Sequence, residues 1–234
     1  MSKANRIAFQ KFLLSKGADL KQYGADGSVG GTTIGEAMRL FANKKAEKVS
    51  NDEITAIAKR LGASTKQVRA FAKVESGRSG FFNSGRPKIL WERHYFWRRI
   101  RVRIPGLSNP RGGGYTMDAN RNNVNDSWEK LMKGCRRDPV AAFESCSWGK
   151  FQVMGAHWKH LGYSSVFEFA WSMREGEAGH YESFARFIQK NGLARHLRKV
   201  SANPADNVPL VKRYNGPGYK KNNYHNKIAR EMRK

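Results

Sequence analysis

The sequence is poor in acidic residues, in cysteine and in long apolar runs, and each shortage excludes a class of protein. Its 234 residues include 19 Asp and Glu against 44 Lys and Arg, which gives a formal charge of +25. Two cysteines, Cys135 and Cys146, are too few for a disulfide framework. No apolar run approaches the roughly 20 residues that a membrane-spanning helix needs. We therefore expect one main domain with free thiols, made in the cytoplasm.

The excess of positive charge is spread along the whole chain and predicts a polyanionic partner. Nucleic acid, anionic lipid and the anionic cell wall all meet that description, because long-range attraction depends on the sign of the charge. Three aromatic residues are followed directly by two arginines at positions 95–99, and such aromatic and basic residues together occur in proteins that bind single-stranded nucleic acid. Because the chain contains no recognised nucleic-acid-binding module, we expect no nucleic-acid partner.

The first 45 residues predict a small helical module. Apolar residues at helical spacing predict one helix on each side of the glycine-rich turn at positions 26–33. Several residues resemble the signature of a peptidoglycan-binding module, with Val29 in place of its aromatic residue: Phe9-Gln10, Asp26-Gly27, Gly30 and Thr33. The resemblance implies attachment to the cell wall. The alternative is a helical hairpin that only covers the main core.

After a charged junction at residues 43–48, residues 50–234 predict a mainly α domain with a small β-hairpin. Ser50 with Glu53, and Ser64 with Gln67, are capping-box pairs that begin two successive helices. Residues 81–96 are rich in aromatic residues around an Asn-Ser-Gly turn, which predicts the hairpin. Proline and glycine at positions 98–120 predict an irregular loop over a cleft, and the chain reads as helical from position 125 onward.

Glu75 is an acid on the apolar stripe of the second of these helices. It follows Val68, Phe71 and Ala72 at helical spacing, so its carboxyl group is expected to face inward. Burial, the negative end of the helix dipole and any nearby carboxylate would each raise its pKa. An acid that stays protonated near neutral pH can serve as a general acid. The alternative is a glutamate at a frayed helix end, turned to solvent.

Four segments, taken in order, resemble the N-acetylmuramidase domain of modular bacteriophage endolysins and the wider lysozyme-like superfamily over about residues 50–234. They are Val74-Glu75-Ser76-Gly77, Gly85-Arg86-Pro87-Lys88-Ile89-Leu90-Trp91-Glu92-Arg93-His94, Ser147-Trp148-Gly149-Lys150-Phe151-Gln152-Val153-Met154-Gly155 and Tyr214-Asn215-Gly216-Pro217-Gly218-Tyr219. The resemblance implies a helical, two-lobed lysozyme-like domain with a small sheet. It also implies a sugar-binding cleft and a cut after N-acetylmuramic acid.

The remaining candidate site residues lie within these segments or between them. Glu92, on the predicted hairpin, is preferred as the second catalytic carboxylate, although it could instead pair with Arg86 or Arg93. Glu144 and then Asp118 are the alternatives. Sugar binding is assigned to residues with amide, hydroxyl or aromatic groups: Gln152, Tyr115, Tyr214, Asn215 and Tyr219. Tyr214 could instead tie the late turn to the helix that carries Glu75.

The predicted protein is a monomeric phage lysozyme that hydrolyses the β-1,4 bond between N-acetylmuramic acid and N-acetylglucosamine. Family context implies release from the host cytoplasm to the periplasm and cell wall through a pore-forming partner. His157 and His160 lack a third ligand at suitable spacing, so we expect no metal or cofactor. The basic segment at residues 220–234 could disturb an anionic outer membrane. The rival functions are a lytic transglycosylase, a nucleic-acid-binding protein and a wall-binding protein without catalysis.

Overall fold

A computed structural model describes residues 2–76 and 79–234, except for the side chains of Ser76 and Pro217. The α-helices are α1 (Lys3–Ser15), α2 (Gly31–Leu40), α3 (Asn51–Leu61), α4 (Thr65–Ser76), α5 (Arg93–Ile100), α6 (Asp126–Cys135), α7 (Pro139–Glu144), α8 (Val166–Glu175), α9 (Glu177–Lys190), α10 (Ala194–Leu197), α11 (Pro204–Asn215) and α12 (Tyr224–Arg233). Strands β1 (Ile89–Trp91), β2 (Cys146–Trp148) and β3 (Val153–Met154) form one antiparallel sheet. The prediction of a mainly helical fold with a small sheet is confirmed.

Local capping interactions fix the start of α3 and α4. The Ser50 hydroxyl accepts from the Glu53 amide N–H, and the Glu53 carboxylate accepts from the Ser50 N–H. Ser64 and Gln67 form the same reciprocal pair before α4. These bonds satisfy N–H groups that a helix start leaves without partners. Both predicted capping boxes are therefore confirmed, and Glu75 lies in the last turn of α4. The predicted turn residue Gly77 lies outside the described residues.

The predicted hairpin at residues 81–96 is wrong in its pairing. Phe81 and Pro87 form an isolated antiparallel bridge, but β1 pairs with β2, which lies more than fifty residues later in the chain. The backbone then enters α5, so Glu92 is the N-cap of that helix and not a strand residue. Residues 146–154, which fell in a stretch predicted to be helical, supply the two other strands. Strand pairing between distant segments leaves no local signal, whereas helix caps do.

The two N-terminal helices pack into the same hydrophobic core as the rest of the chain. The ring of Phe9 on α1 lies 5.5 Å from Phe143 and 5.2 Å from Phe167. Phe41, just after α2, contacts Trp128 with 5.6 Å between ring centroids. All five side chains belong to one buried cluster. Helices α1 and α2 thus take part in the main core, and the ability of the N-terminal segment to bind the cell wall stays a prediction.

The last helix is a packed element of the fold. Ile228 and Ala229 of α12 are fully buried, and α12 packs against both α4 and α11. Its basic side chains include Lys227 and Arg230, and the membrane role predicted for residues 220–234 remains a prediction. Within the described ranges, no helix combines the length and the apolar character needed to cross a bilayer.

The shared core predicts that Phe9→Ala destabilises the whole protein. Removing this buried ring should lower the free energy of unfolding by about 3 to 5 kcal/mol, because the surrounding rings cannot collapse into the space. Denaturant titration should show a single transition that is shifted to lower denaturant. Lys11→Ala, on the exposed side of α1, is the control and should change little. A separate early transition confined to α1 and α2 would instead show that residues 1–45 unfold independently.

Candidate active site

A cavity of about 290 Å³ lies between the end of α4 and the small sheet. The helix contributes Glu75, β1 contributes Ile89 and Leu90, and the loop between β2 and β3 contributes further residues. The described residues that line the cavity are Glu75, Ser79, Phe82, Lys88, Ile89, Leu90, Met117, Asn125, Ser127, Gly149, Lys150 and Gln152. The structure therefore brings Glu75 and Gln152, from two of the four sequence segments, to one concave site.

Glu75 is the chemically distinctive group of this cavity. Burial raises the pKa of its carboxyl group from 4.5 to about 7. The side-chain amide of Asn215 donates to Glu75 Oε1 at 3.0 Å, and the positive charge of Lys227 is nearby; both oppose the rise in pKa. Desolvation is the larger effect because the carboxyl group lies in an apolar setting at the end of α4. A large share of Glu75 is therefore protonated at neutral pH.

A buried histidine supports the floor of the cavity. His180 Nδ1 accepts from the Lys150 backbone N–H at 2.9 Å, and His180 Nε2 contacts the Met173 carbonyl oxygen at 2.7 Å. This pattern requires a neutral ring that donates from Nε2, and burial lowers its pKa to about 4. Gly149 has φ +67°, and a Cβ there would lie 2.9 Å from the His180 ring. Glycine is thus required at this position of the loop by both conformation and space.

Gln152 has a non-glycine left-handed backbone, with φ +49°. Its Oε1 accepts from the Ser147 hydroxyl at 2.7 Å, and its Nε2 donates to the Gly149 carbonyl at 2.8 Å. A primary amide has two N–H groups and two lone pairs on oxygen, so each side retains capacity for one further hydrogen bond. A residue held in this strained region is often a functional one. The geometry leaves Gln152 able to contact a ligand in the cavity.

The two predicted tyrosines of the late turn lie in the packed interior. The Tyr214 hydroxyl donates to the Phe151 carbonyl at 3.0 Å, and its ring packs against Phe71 of α4 with 4.9 Å between centroids. Tyr214 therefore ties α11 to the helix that carries Glu75, which was the alternative considered for it. Tyr219 is only 7% exposed and packs against His225. Among the described residues that line the cavity, neither tyrosine is present.

Glu92 lies at the start of α5, beyond the strand residues that line the cavity. Its Oε2 accepts from the exposed Tyr115 hydroxyl at 2.8 Å and lies 3.3 Å from His94 Nδ1. The two arginines considered as its partners bind backbone carbonyls instead: Arg86 donates to Met38, and Arg93 to Arg111 and Gly112. The structure thus places Glu92 and Tyr115 together, but outside the described lining around Glu75.

The two other candidate carboxylates have structural partners. Glu144 accepts from Arg99 Nε at 2.6 Å and from Trp158 Nε1 at 2.8 Å. Asp118 accepts from the backbone N–H groups of Asn122 and Asn123 at 3.0 Å each, which fixes the loop before α6. Neither belongs to the described lining of the Glu75 cavity.

Several polar residues at the site were missed by sequence reasoning. Lys88, Asn125 and Ser127 line the cavity. Burial raises the pKa of the Tyr224 hydroxyl on α12, and the nearby charge of Glu75 adds to that rise. Lys88 stands within a segment used for the family resemblance, so a signal was present. Asn125 and Ser127 had been read only as the start of a helix. Tyr224 reaches the site because α12 folds back onto α4, which no local pattern indicates.

The raised pKa predicts that Glu75→Gln increases stability at alkaline pH. The folded protein holds a proton on Glu75 between pH 4.5 and about 7, where the unfolded chain has lost it. Below pH 4.5 Glu75 is protonated in both the folded and the unfolded chain, so its burial carries no pH-dependent cost. Between pH 4.5 and about 7 the free energy of unfolding falls, because only the unfolded chain releases the proton. Glutamine should stabilise by up to about 3 kcal/mol at pH 8 and change little at pH 4, as measured by denaturant unfolding.

Asp52→Asn, an exposed change on α3, is the control for losing one carboxylate. A pH-independent effect of Glu75→Gln would contradict the raised pKa.

Comparison with known proteins identifies the family of the chain. The model of the Muramidase family, described as N-acetylmuramidase, matches residues 64–234, a range that contains all of the described cavity lining. Among solved structures, the Burkholderia AP3 phage endolysin is similar with a TM-score of 0.71 and 29% sequence identity, over 98% of this chain and 95% of that chain. No curated protein matches. Because the family model covers well over half of the sequence, the chain belongs to the N-acetylmuramidase family.

Proposed function

We propose that this protein is a phage endolysin that cleaves the β-1,4 bond between N-acetylmuramic acid and N-acetylglucosamine in peptidoglycan. The observation that carries the proposal is a glutamic acid with a pKa of about 7 in a concave site on the family-matched part of the chain. Cleaving a glycosidic bond requires a proton on a poor leaving oxygen, and a carboxylic acid of this pKa can supply it near neutral pH. The +25 charge favours encounter with the anionic wall.

Asn215 defines which oxygen of Glu75 can act as the acid. An amide N–H donates to an oxygen that carries no proton, so Oε1 is the acceptor and the proton resides on Oε2. That proton is then directed to the leaving oxygen of the bound glycan. The Oδ1 atom of Asn215 is buried and has no hydrogen-bond partner in the described part of the chain. Asn215 is not among the described residues that line the cavity, so we assign it to holding Glu75 in position, and its predicted role in sugar binding stays a prediction.

The residues of the cavity limit how the second step, attack at the sugar carbon after the leaving group departs, can occur. Glu75 is the sole acidic residue among its described lining residues. Enzymes with two carboxylates use the second as nucleophile or base, and this lining supplies no such group. After losing its proton, Glu75 can itself act as the base that activates water for attack at the sugar carbon. If Glu75 instead activates the 6-hydroxyl group of the muramic acid, the reaction forms an anhydro-sugar. This lone acid favours lytic transglycosylation as the second candidate function.

Glu75→Gln should abolish lysis while preserving the fold. Glutamine keeps the size of the side chain and an acceptor for Asn215, but it cannot donate a proton to the leaving oxygen. The rate of clearing of purified sacculi should fall by about 10²- to 10⁴-fold, and the loss should appear in kcat. Wild-type activity should decline as the pH rises through about 7, because Glu75 loses its proton there.

Mass spectrometry of the wild-type products separates the two reactions. Reducing muramic ends support hydrolysis, and anhydro-muramic ends support the transglycosylase. Equal clearing by wild type and Glu75→Gln would remove Glu75 from the mechanism.

Glu92→Gln should have a much smaller effect, with less than a tenfold loss of activity. The reason is that Glu92 binds Tyr115 at the start of α5 and does not line the cavity around Glu75. Tyr115→Phe removes the same hydrogen bond from the other side and should resemble Glu92→Gln in the sacculus assay. If Glu92→Gln alone were as inactive as Glu75→Gln, then Glu92 would be the second catalytic carboxylate.

A further inference from the structure

A second cavity of about 700 Å³ adjoins the Glu75 cavity. The two cavities share Ser79, Phe82 and Lys150 as lining residues. One wall of the second cavity is formed by residues 43–48, which we call the strap. From the sequence alone, this segment read as a charged junction between two parts of the chain. In the fold it borders an extension of the candidate active site.

The strap is fixed to the rest of the protein at both ends. The Asn43 N–H donates to the Gly85 carbonyl at 2.9 Å, and the Asn43 side chain donates to the carbonyls of Arg174 and Glu175. At the other end, the Glu47 carbonyl accepts from the Glu177 N–H at 2.9 Å. These bonds hold the strap in one place along the cavity. A linker between independent domains would have no such bonds.

Gly85 permits the close approach of the strap. Its φ is +78°, and a Cβ at this position would lie 2.7 Å from the backbone of both Asn43 and Lys44. Such a contact with backbone cannot be relieved by rotating a side chain, so only glycine fits without displacing the strap. Gly85 begins one of the four segments used for the family resemblance. The position of the strap thus depends on the absence of a side chain at Gly85 as well as on the strap's own hydrogen bonds.

The strap presents cations to the second cavity. Lys44 and Lys48 are exposed and line it, together with one strap carboxylate, Glu47. On the opposite wall, Lys150 Nζ lies 3.0 Å from Glu177, so these two charges largely offset one another. Among the described lining residues, the charge that is left is that of Lys44, Lys48 and Glu47, which is positive in sum and lies on the strap.

We propose that this cavity binds the acidic peptide arm of the glycan. The inference rests on the proposed function, because such an arm is joined to the lactyl group of the muramic acid and carries several carboxylates. A glycan bound against Glu75 would carry its arm towards this second cavity, which shares Ser79, Phe82 and Lys150 with the first. Lys44 and Lys48 attract the carboxylates of the arm, while the apolar faces of Phe81 and Phe82 border its backbone.

The test compares glycan strands that carry their peptides with the same strands stripped of peptides by an amidase. Wild type should cleave the peptide-bearing strands with a kcat/KM roughly fivefold higher, the value expected from two exposed ion pairs. Lys44→Gln/Lys48→Gln should lose most of this preference and keep its rate on stripped strands. Lys44→Arg/Lys48→Arg, which retains both charges, should keep the preference.

Lys11→Gln/Lys190→Gln is the matched control, since it removes two exposed positive charges that are not among the described residues lining the cavity. It should cleave both substrates as wild type does. If the Lys44→Gln/Lys48→Gln variant and the control variant lost the preference equally, the preference would depend only on the total charge of the protein. That result would overturn the inference. So would a wild type without preference, or a strap variant that is slowed equally on stripped strands, which would make the cavity a sugar site. A wild type that cuts neither substrate would refute the proposed function, and the inference with it.

Discussion

The interaction on which the site depends is the desolvation of one carboxyl group at the end of α4. The chain carries a charge of +25, and a positive surrounding favours the ionised form of any acid. Lys227 and the Asn215 amide act in that direction on Glu75, yet burial is the larger effect and raises its pKa to about 7. The apolar stripe of α4 and the elements packed on it therefore have a chemical consequence as well as a structural one. If the packing loosened and water entered, the pKa of Glu75 would fall back towards the ordinary value of a glutamate.

Much of the structure around Glu75 serves to maintain this burial. Tyr214 ties α11 to α4 and fixes the position of Asn215, the adjacent residue. The neutral His180 ring holds the loop after β2 from below, and its lowered pKa keeps it uncharged at neutral pH. α12 closes the same side by packing on α4. Elements that are far apart in sequence thus hold Glu75 and the loop beside it in place.

The parts of this site that sequence could predict are those with a local signal. The capping boxes of α3 and α4 and the apolar stripe that places Glu75 inward are read from a few neighbouring residues. Tyr214 illustrates the limit, because a tyrosine hydroxyl that contacts a sugar and one that anchors a turn can stand in the same local sequence. The predicted pairing of the strands was wrong for a related reason. β1 finds its partner in β2 across a long separation, and a pattern of aromatic residues around a turn favoured the wrong, local pairing.

The strap shows how catalysis and substrate binding are joined in this fold. Phe9 and Phe41 pack into the main core, so α1 and α2 cannot move freely with respect to Glu75. The strap follows directly after them and is held by Gly85 on one side and Glu177 on the other. If residues 1–45 bind the cell wall, their orientation therefore also sets the orientation of both cavities towards the glycan. A flexible linker would raise only the local concentration of substrate, whereas a fixed strap also restricts which face of the glycan meets the acid.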